Sequence, residues 1–274
     1  MNLLPLKETA IEAALSAGQI IKSYMDQDIR VIEKDGGTNY ASQVVTKVDK
    51  ECEEEILTHL LPTCETYDLA ILTEETEDDG SRFEKEYFWC VDPIDGTLAF
   101  IRNEPDFSVS IALVSREGEP VIGVIYDPST DTLYHAAKGD GVYKNDAPWD
   151  LPVPNDYLTH VTDKPLTDTS RPDDLLQLLH NKVGELDVSG LKVIEGGGSV
   201  LNAIKVLKNP PACMIKYPKK ATGGGSLWDF ASTACLFHEL GFRATNFEGD
   251  PLDLNREDST FMHHEGVYYE CVKR

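Results

Sequence analysis

An α/β fold, with an α+β first half and an alternating α/β second half, is predicted by three features of this 274-residue sequence. Both the helical and the strand period are present. The strand-like runs of the first half follow one another through short turns. Beyond the prolines at Pro148, Pro152 and Pro154, helices alternate with strands. The proline cluster divides the chain into residues 1–147 and 148–274. A chain of this length suits one or two compact units, at about 150 residues per domain, and can bury a full core.

The elements follow in order. Ile11, Ala14, Leu15, Gly18 and Ile21 mark one face of a helix that starts at Pro5 and ends near Tyr24. Gly18 on that face marks the close approach of another element. Residues 26–43 carry no period and read as a loop. A second helix places Val48, Cys52, Ile56 and Leu60 on one face and ends at Pro62. Short strands are predicted at Ala70–Thr73, Tyr87–Val91, Phe107–Val114, Val121–Tyr126 and Thr132–Ala136. The turns at Arg116-Glu-Gly118 and Asp127-Pro-Ser-Thr130 make the later strands antiparallel hairpins. In the second half, helices are expected at Asp173–Leu179, Ser199–Leu207 and Ser226–Glu239. Strands are expected at Leu191–Ile194, Ala212–Tyr217 and Phe242–Phe247.

Charge excludes several function classes. The 25 Lys and Arg against 48 Asp and Glu leave a net charge of −23. Such a surface repels phosphate polymers and anionic lipid, so no nucleic-acid or membrane partner is expected. No apolar run approaches the ~18 residues of a membrane span. Lys7, Glu8 and Glu12 stand where a leader would need its apolar stretch, and the six scattered cysteines read as core thiols. A cytoplasmic location is the expectation.

The acidic excess is concentrated: Asp49 to Glu86 holds 14 acids and 3 bases. Glu53, Glu54, Asp78 and Asp79 read as a solvated face and loop. Glu74 and Glu75 differ, because they end an apolar run, where a carboxylate needs a compensating cation. The sharpest motif is Asp92-Pro93-Ile94-Asp95-Gly96-Thr97, which arises by chance in about one chain of this length in several thousand. Asp-Pro should stop the preceding strand, Asp-Gly should turn it, and a helix should open at Thr97. Two carboxylates three residues apart then face one point, beside amides of a helix start that suit an anion. Carboxylates beside an anion site make sense with Mg²⁺ between them. Asp229 in Trp228-Asp229 opens another apolar helix, where it either compensates the dipole or joins Asp92 and Asp95.

Together these residues resemble the inositol monophosphatase superfamily of Mg²⁺-dependent, Li⁺-sensitive phosphomonoesterases. Val45-Thr46-Lys-Val-Asp49, Thr73-Glu74-Glu75-Thr76, Asp92–Thr97 and Trp228-Asp229 match its four motifs in order. Gly123–Tyr126, Ala137–Gly141 and Gly198-Ser199 match its framework, so the resemblance covers nearly the whole chain. It implies a layered αβαβα sandwich with the site between the two halves. It assigns one metal to Glu74, Asp92 and the carbonyl of Ile94, and a second to Asp92, Asp95 and Asp229. A third, weaker ion would lie near Asp49. Glu74 and Thr97 would orient the attacking water, and the amides of Gly96 and Thr97 would hold the phosphate. The substrate is a small phosphate ester, and a homodimer is among the expected assemblies.

Two branches of the superfamily compete for the substrate. The inositol branch usually continues its signature Thr-Asn-Phe, whereas this chain has Leu98-Ala99-Phe100-Ile101. Together with Phe88-Trp89-Cys90, this looks more like the 3'(2'),5'-bisphosphate nucleotidase branch, which is the preferred expectation. Inositol-1-monophosphatase is the alternative. The family's Ala-Asp-x-Tyr is replaced by Ala212-Cys-Met-Ile215, and a basic, glycine-rich segment follows. Lys216, Lys219 and Lys220 in that segment either hold a second phosphate or are solvated. Gly198 and Ser199 either touch the leaving group or cap their helix. His263 and His264 read as surface residues. A non-catalytic, phosphate-ligand-binding family member is the alternative of another class, and a phosphate-release assay separates it from an enzyme.

Overall fold

A computed structural model describes residues 1–25, 31–33, 44–102, 104–169 and 171–272. Helix α1 (Leu3–Tyr24) is capped by the Asn2 side chain, which accepts the Leu4 amide at 3.2 Å. Its buried stripe of Leu6, Ala10, Ala13, Ala14, Ala17, Gly18 and Ile21 has the three-and-four spacing of one helix face. Gly18 does mark a close approach, since a Cβ there would lie 2.1 Å from the Tyr126 ring. Helix α2 (Lys47–Tyr67) packs against α1 and runs on past Pro62, its expected end. An interior proline forfeits its N–H bond and crowds the carbonyl four residues before it, yet the helix continues here. The turn beyond is held by Thr66 Oγ1 donating to the Pro62 carbonyl at 2.8 Å, and by Trp89 Nε1 donating to Thr63 Oγ1 at 2.9 Å.

Within the stretch read as a loop, β1 (Val31–Glu33) pairs antiparallel with β2 (Val44–Thr46). The rest of residues 26–43 lies outside the described residues. A seven-stranded sheet then forms in chain order: β3 (Ala70–Thr73), β4 (Tyr87–Asp95), β5 (Ser108–Ser115), β6 (Pro120–Asp127), β7 (Thr132–Ala137), β8 (Gly141–Lys144) and β9 (Ala147–Pro148). β3 and β4 are parallel, and every later neighbour is antiparallel. Asp92-Pro93 does not stop β4. The ladder with β5 breaks between Asp92 and Asp95, where proline has no donor, and re-forms at Asp95 opposite Ser108. A short helix, α3 (Thr97–Ile101), follows at once.

The second sheet has the order β11-β10-β12-β14-β13. Its strands are β10 (Leu158–Thr162), β11 (Leu191–Glu195), β12 (Ala212–Lys216), β13 (Arg243–Thr245) and β14 (Val267–Cys271). β10 is parallel to both β11 and β12, while β14 is antiparallel to β12 and β13. Helix α4 (Pro172–Glu185) covers the outer face of this sheet through Leu175 and Leu179. Helices α5 (Ser199–Lys208) and α6 (Trp228–Glu239) fill the space between the two sheets, and α1 with α2 covers the outer face of the first. The layering is therefore αβαβα, as expected. Strands β8, β9, β10 and β14 were not anticipated: β8 and β9 are four and two residues long, and β10 and β14 pair with chain distant in sequence.

Candidate active site

The end of β4 and the start of α6 meet between the sheets. There Asp92, Asp95 and Asp229 each offer a carboxylate oxygen, all within 4.8 Å of one another. Asp92 and Asp95 are 1% and 6% exposed, and Asp229 is half-buried. Local backbone chemistry sets each one. The Ile94 amide donates to Asp92 Oδ1 at 3.0 Å, and the Ile94 carbonyl accepts from Thr97 Oγ1 at 2.9 Å. Gly96 follows at φ 87°, with Asp106 O 2.4 Å from where a Cβ would stand, so only glycine makes this turn. The Ser226 amide donates to Asp229 Oδ2 at 2.6 Å, which ties that carboxylate to the entry of α6. Asp95 receives the Ser199 amide at 3.0 Å on Oδ1 and the Val200 amide at 2.9 Å on Oδ2. It thus compensates the start of α5 from across the layer.

Packing three carboxylates out of water disfavours their charged forms. Burial first, then the neighbouring charges of Glu74, Asp95 and Asp229, carries Asp92 well above the ordinary carboxylate range. Burial and Asp229 push Asp95 up to about 8, against the opposing pull of the Val200 and Ser199 amides. Burial likewise raises Asp229, while the Ser226 amide and Lys216 pull it down. Converging, desolvated oxygen donors that repel one another are the donor set of a hard divalent cation. The cluster fits Mg²⁺.

The other expected site residues are placed around this cluster. Glu74 sits half-buried just past β3, its amide bonded to the Val91 carbonyl at 3.2 Å and its charge acting on Asp92. Asp49 is buried in the first turn of α2 and stands outside the three-carboxylate group. Gly198 is pressed against Asp95, whose Oδ2 would lie 2.0 Å from an added Cβ, and the Ser199 amide contacts the same carboxylate. Lys219 is half-buried and Lys220 exposed, and neither touches the cluster in any described contact. Burial, with the like charges of Lys164 and Lys216, pushes the Lys219 ammonium down.

Several readings of the polar residues need correction. Glu53 is not solvated but 5% exposed, and its carboxylate accepts the Glu75 amide at 3.0 Å and the Thr76 hydroxyl at 2.5 Å, fixing the Glu74-Glu75 turn. Asp78 pairs with the buried Arg82 at 2.8 Å. Only Glu54 and Asp79 of that group are exposed. His263 is buried, and its carbonyl accepts the Lys219 amide at 2.9 Å; His264 is exposed. Asp106 near the site was missed, and in sequence Lys216 reads only, with Lys219 and Lys220, as a candidate for a second phosphate. Asp106, at φ 84°, accepts the Gly198 amide on its carbonyl at 3.1 Å and pairs with Lys205 at 2.6 Å, holding the loop before α5. Lys216, at the end of β12, pairs with Asp163 at 2.7 Å and donates to Ser199 Oγ at 3.2 Å. Its place in a basic run was visible, but its burial was not.

A model of the "Inositol monophosphatase family" matches residues 2–272. Inositol monophosphatase 3 of Solanum lycopersicum is 35% identical to the chain, covering 97% of it and 95% of the relative. Inositol-1-monophosphatase of Bacillus subtilis is 27% identical over 97% and 95% of the two chains. The crystal structure of CysQ from Bacteroides thetaiotaomicron superposes with a TM-score of 0.75 at 24% identity, covering 97% of each chain; this likeness shows the fold.

Proposed function

Since the chain belongs to the inositol monophosphatase family and is a metal-dependent phosphomonoesterase, we propose that it hydrolyses a polyol monophosphate of the inositol type. The observation that carries this reading is that relatives matched along nearly their whole length, in Solanum lycopersicum and Bacillus subtilis, bear inositol monophosphatase names. It displaces the nucleotidase preference drawn from the Phe88–Cys90 and Phe100-Ile101 flanks. In this reading Asp92, Asp95 and Asp229 hold Mg²⁺ with Glu74 and the Ile94 carbonyl, and Asp49 lies toward a further ion. Bound Mg²⁺ supplies Lewis-acid stabilisation of the charge that develops on the phosphoryl oxygens. Thr97 and Glu74 orient the attacking water, and the amides of Gly96 and Thr97 position the phosphate. Gly198 and Ser199, tied to Asp95, form the opposite wall.

A second reading, a nucleoside 3',5'-bisphosphate as substrate, draws support from the cationic Lys216 beside Asp95 and Asp229 and from Lys219 further out. A second phosphate needs such cations, whereas an inositol ring presents hydroxyls. Phosphate release from inositol 1-phosphate and adenosine 3',5'-bisphosphate, compared by kcat/KM at saturating Mg²⁺, decides between them. A higher value for inositol 1-phosphate is expected. A tenfold preference for the bisphosphate reverses the order, and no release from any monoester leaves the non-catalytic reading.

A further inference from the structure

We propose that Lys216 is a positioning residue that sets the affinity of the Asp92–Asp95–Asp229 cluster for its divalent cation, by holding a fixed positive charge against it. This rests on the metal-dependent reading of the site. β10 and β12 are parallel neighbours, so Asp163, just past the end of β10, and Lys216, the last residue of β12, emerge at the same sheet edge. That edge faces the start of α5. The Lys216 ammonium is held there by Asp163 at 2.7 Å and Ser199 Oγ at 3.2 Å, with the Phe230 ring centroid 5.8 Å away. Ser199 in turn gives its amide to Asp95, so the ammonium is one residue removed from the cluster.

The side chain of Lys216 is 16% exposed and that of Asp163 is 36% exposed. Water therefore screens the partner carboxylate more than the ammonium, and the pair presents a net positive charge inward. Both Asp95 and Asp229 feel the ammonium as an attraction, which at Asp229 exceeds the opposing charge of Asp163. Although burial alone would lower the Lys216 ammonium, Asp163, Asp229 and Asp95 carry it above its ordinary range. The Lys219 ammonium is repelled by both Lys164 and Lys216, so positive charge gathers around Lys216. The ammonium offsets part of the negative charge of the carboxylates, which would otherwise oppose an incoming phosphate. The same ammonium must repel the metal, so the site binds its ion less tightly than the bare carboxylates would.

Calorimetric titration of the full chain with Mn²⁺ tests this without reference to activity. For K216M the Mn²⁺ Kd should fall about 10-fold, and for D163N, which unmasks the ammonium, it should rise about 3-fold. The double variant should lie between the two, and K216R should stay within about 2-fold of wild type. Effects of opposite sign from two partners of one ion pair are not what loss of structure produces. An unchanged or weaker K216M, or a tighter D163N, overturns the proposal. Should K216M fail to fold, the partly exposed Asp163 still decides it through D163N. A wild-type chain that binds no Mn²⁺ sinks the metal reading itself, which is a separate result.

Discussion

Asp229 serves a helix and a cluster at once, since its Oδ2 accepts the Ser226 amide while the carboxylate faces Asp92 and Asp95. Asn keeps the size and one acceptor but removes the charge. D229N and D95N should each lower kcat by ~100-fold or more, as expected for a lost metal ligand. Both should fold, and denaturant unfolding in EDTA should show D229N as stable as the parent or more so, because like-charge repulsion is relieved. Retention of more than half the parental kcat would remove that residue from the site. D79N is the matching control, expected to change little. Asp78 is unsuitable because it neutralises the buried Arg82. The raised carboxylates also set a pH dependence. Between about pH 4, the ordinary carboxylate value, and about 8 for Asp95, the native metal-free cluster binds more protons than the unfolded chain. Its contribution to stability therefore falls as pH rises through that window. Unfolding midpoints of the metal-free protein at pH 5.5 and 8 should show this slope, and D95N should flatten it. A slope of the opposite sign in the parent, unaltered in D95N, would contradict the assigned cause.

The joint between β4 and α5 is the element on which the site depends. Asp95 reaches it only because Gly198 has no side chain: a Cβ there would stand 2.0 Å from Asp95 Oδ2 and 2.7 Å from its carboxyl carbon. G198A should push α5 away from β4, costing about 1–3 kcal/mol by overpacking, and should lower kcat more than it raises KM for inositol 1-phosphate. Gly184, near the end of α4, meets nothing within 4 Å. G184A should gain roughly 0.5–1 kcal/mol from restored helix propensity and leave kcat alone. Equal urea midpoints for the two variants would mean that the close approach is not a constraint. Legibility follows the same division. The α1 stripe and the α2 face are periodic, so their sequences show them plainly. β4 shows how a local rule is overruled: Asp92-Pro93 reads as a stop, yet pairing with β5 resumes at Asp95 and carries both aspartates on one strand end.

For the whole molecule, electrostatics dominates. A net charge of −23 on 274 residues repels itself, and the buried carboxylate cluster adds to that strain. Binding a divalent ion relieves it only in the native state. At 100 times its Kd, Mg²⁺ should stabilise the fold by about 2.7 kcal/mol, a rise in Tm of about 5–10 °C for a chain of this size. Calorimetry in EDTA and in Mg²⁺ measures it, with NaCl of matched ionic strength as the control for general screening. Coincident thermograms in EDTA and Mg²⁺ would mean that the cluster does not load. Phosphate release should be lost in EDTA and return with Mg²⁺, and activity surviving exhaustive chelation would contradict the metal reading. Among the described residues no helix is long and apolar enough to cross a membrane.

By itself the sequence determined the helix faces of α1 and α2, the α/β class, and the pairing of acidic and turn residues in Asp92–Thr97 that points to metal-assisted phosphate chemistry. These are legible because they depend on neighbours within a few residues: a 3.6-residue period, a proline ring, a glycine at positive φ. The motifs also placed Asp229 with Asp92 and Asp95, through the resemblance they carry. Tertiary structure alone decided that Glu53 is buried beneath the Glu75 turn, and that Lys216, not Lys219 or Lys220, is the ammonium facing the cluster. The first depends on contacts across 22 and 23 residues; the second depends on β10 lying beside β12 and on α5 entering between the sheets, contacts made over 50 to more than 100 residues. A basic segment looks the same in sequence whether its lysines face water or carboxylates. Burial separates them, and burial is a property of the packed chain.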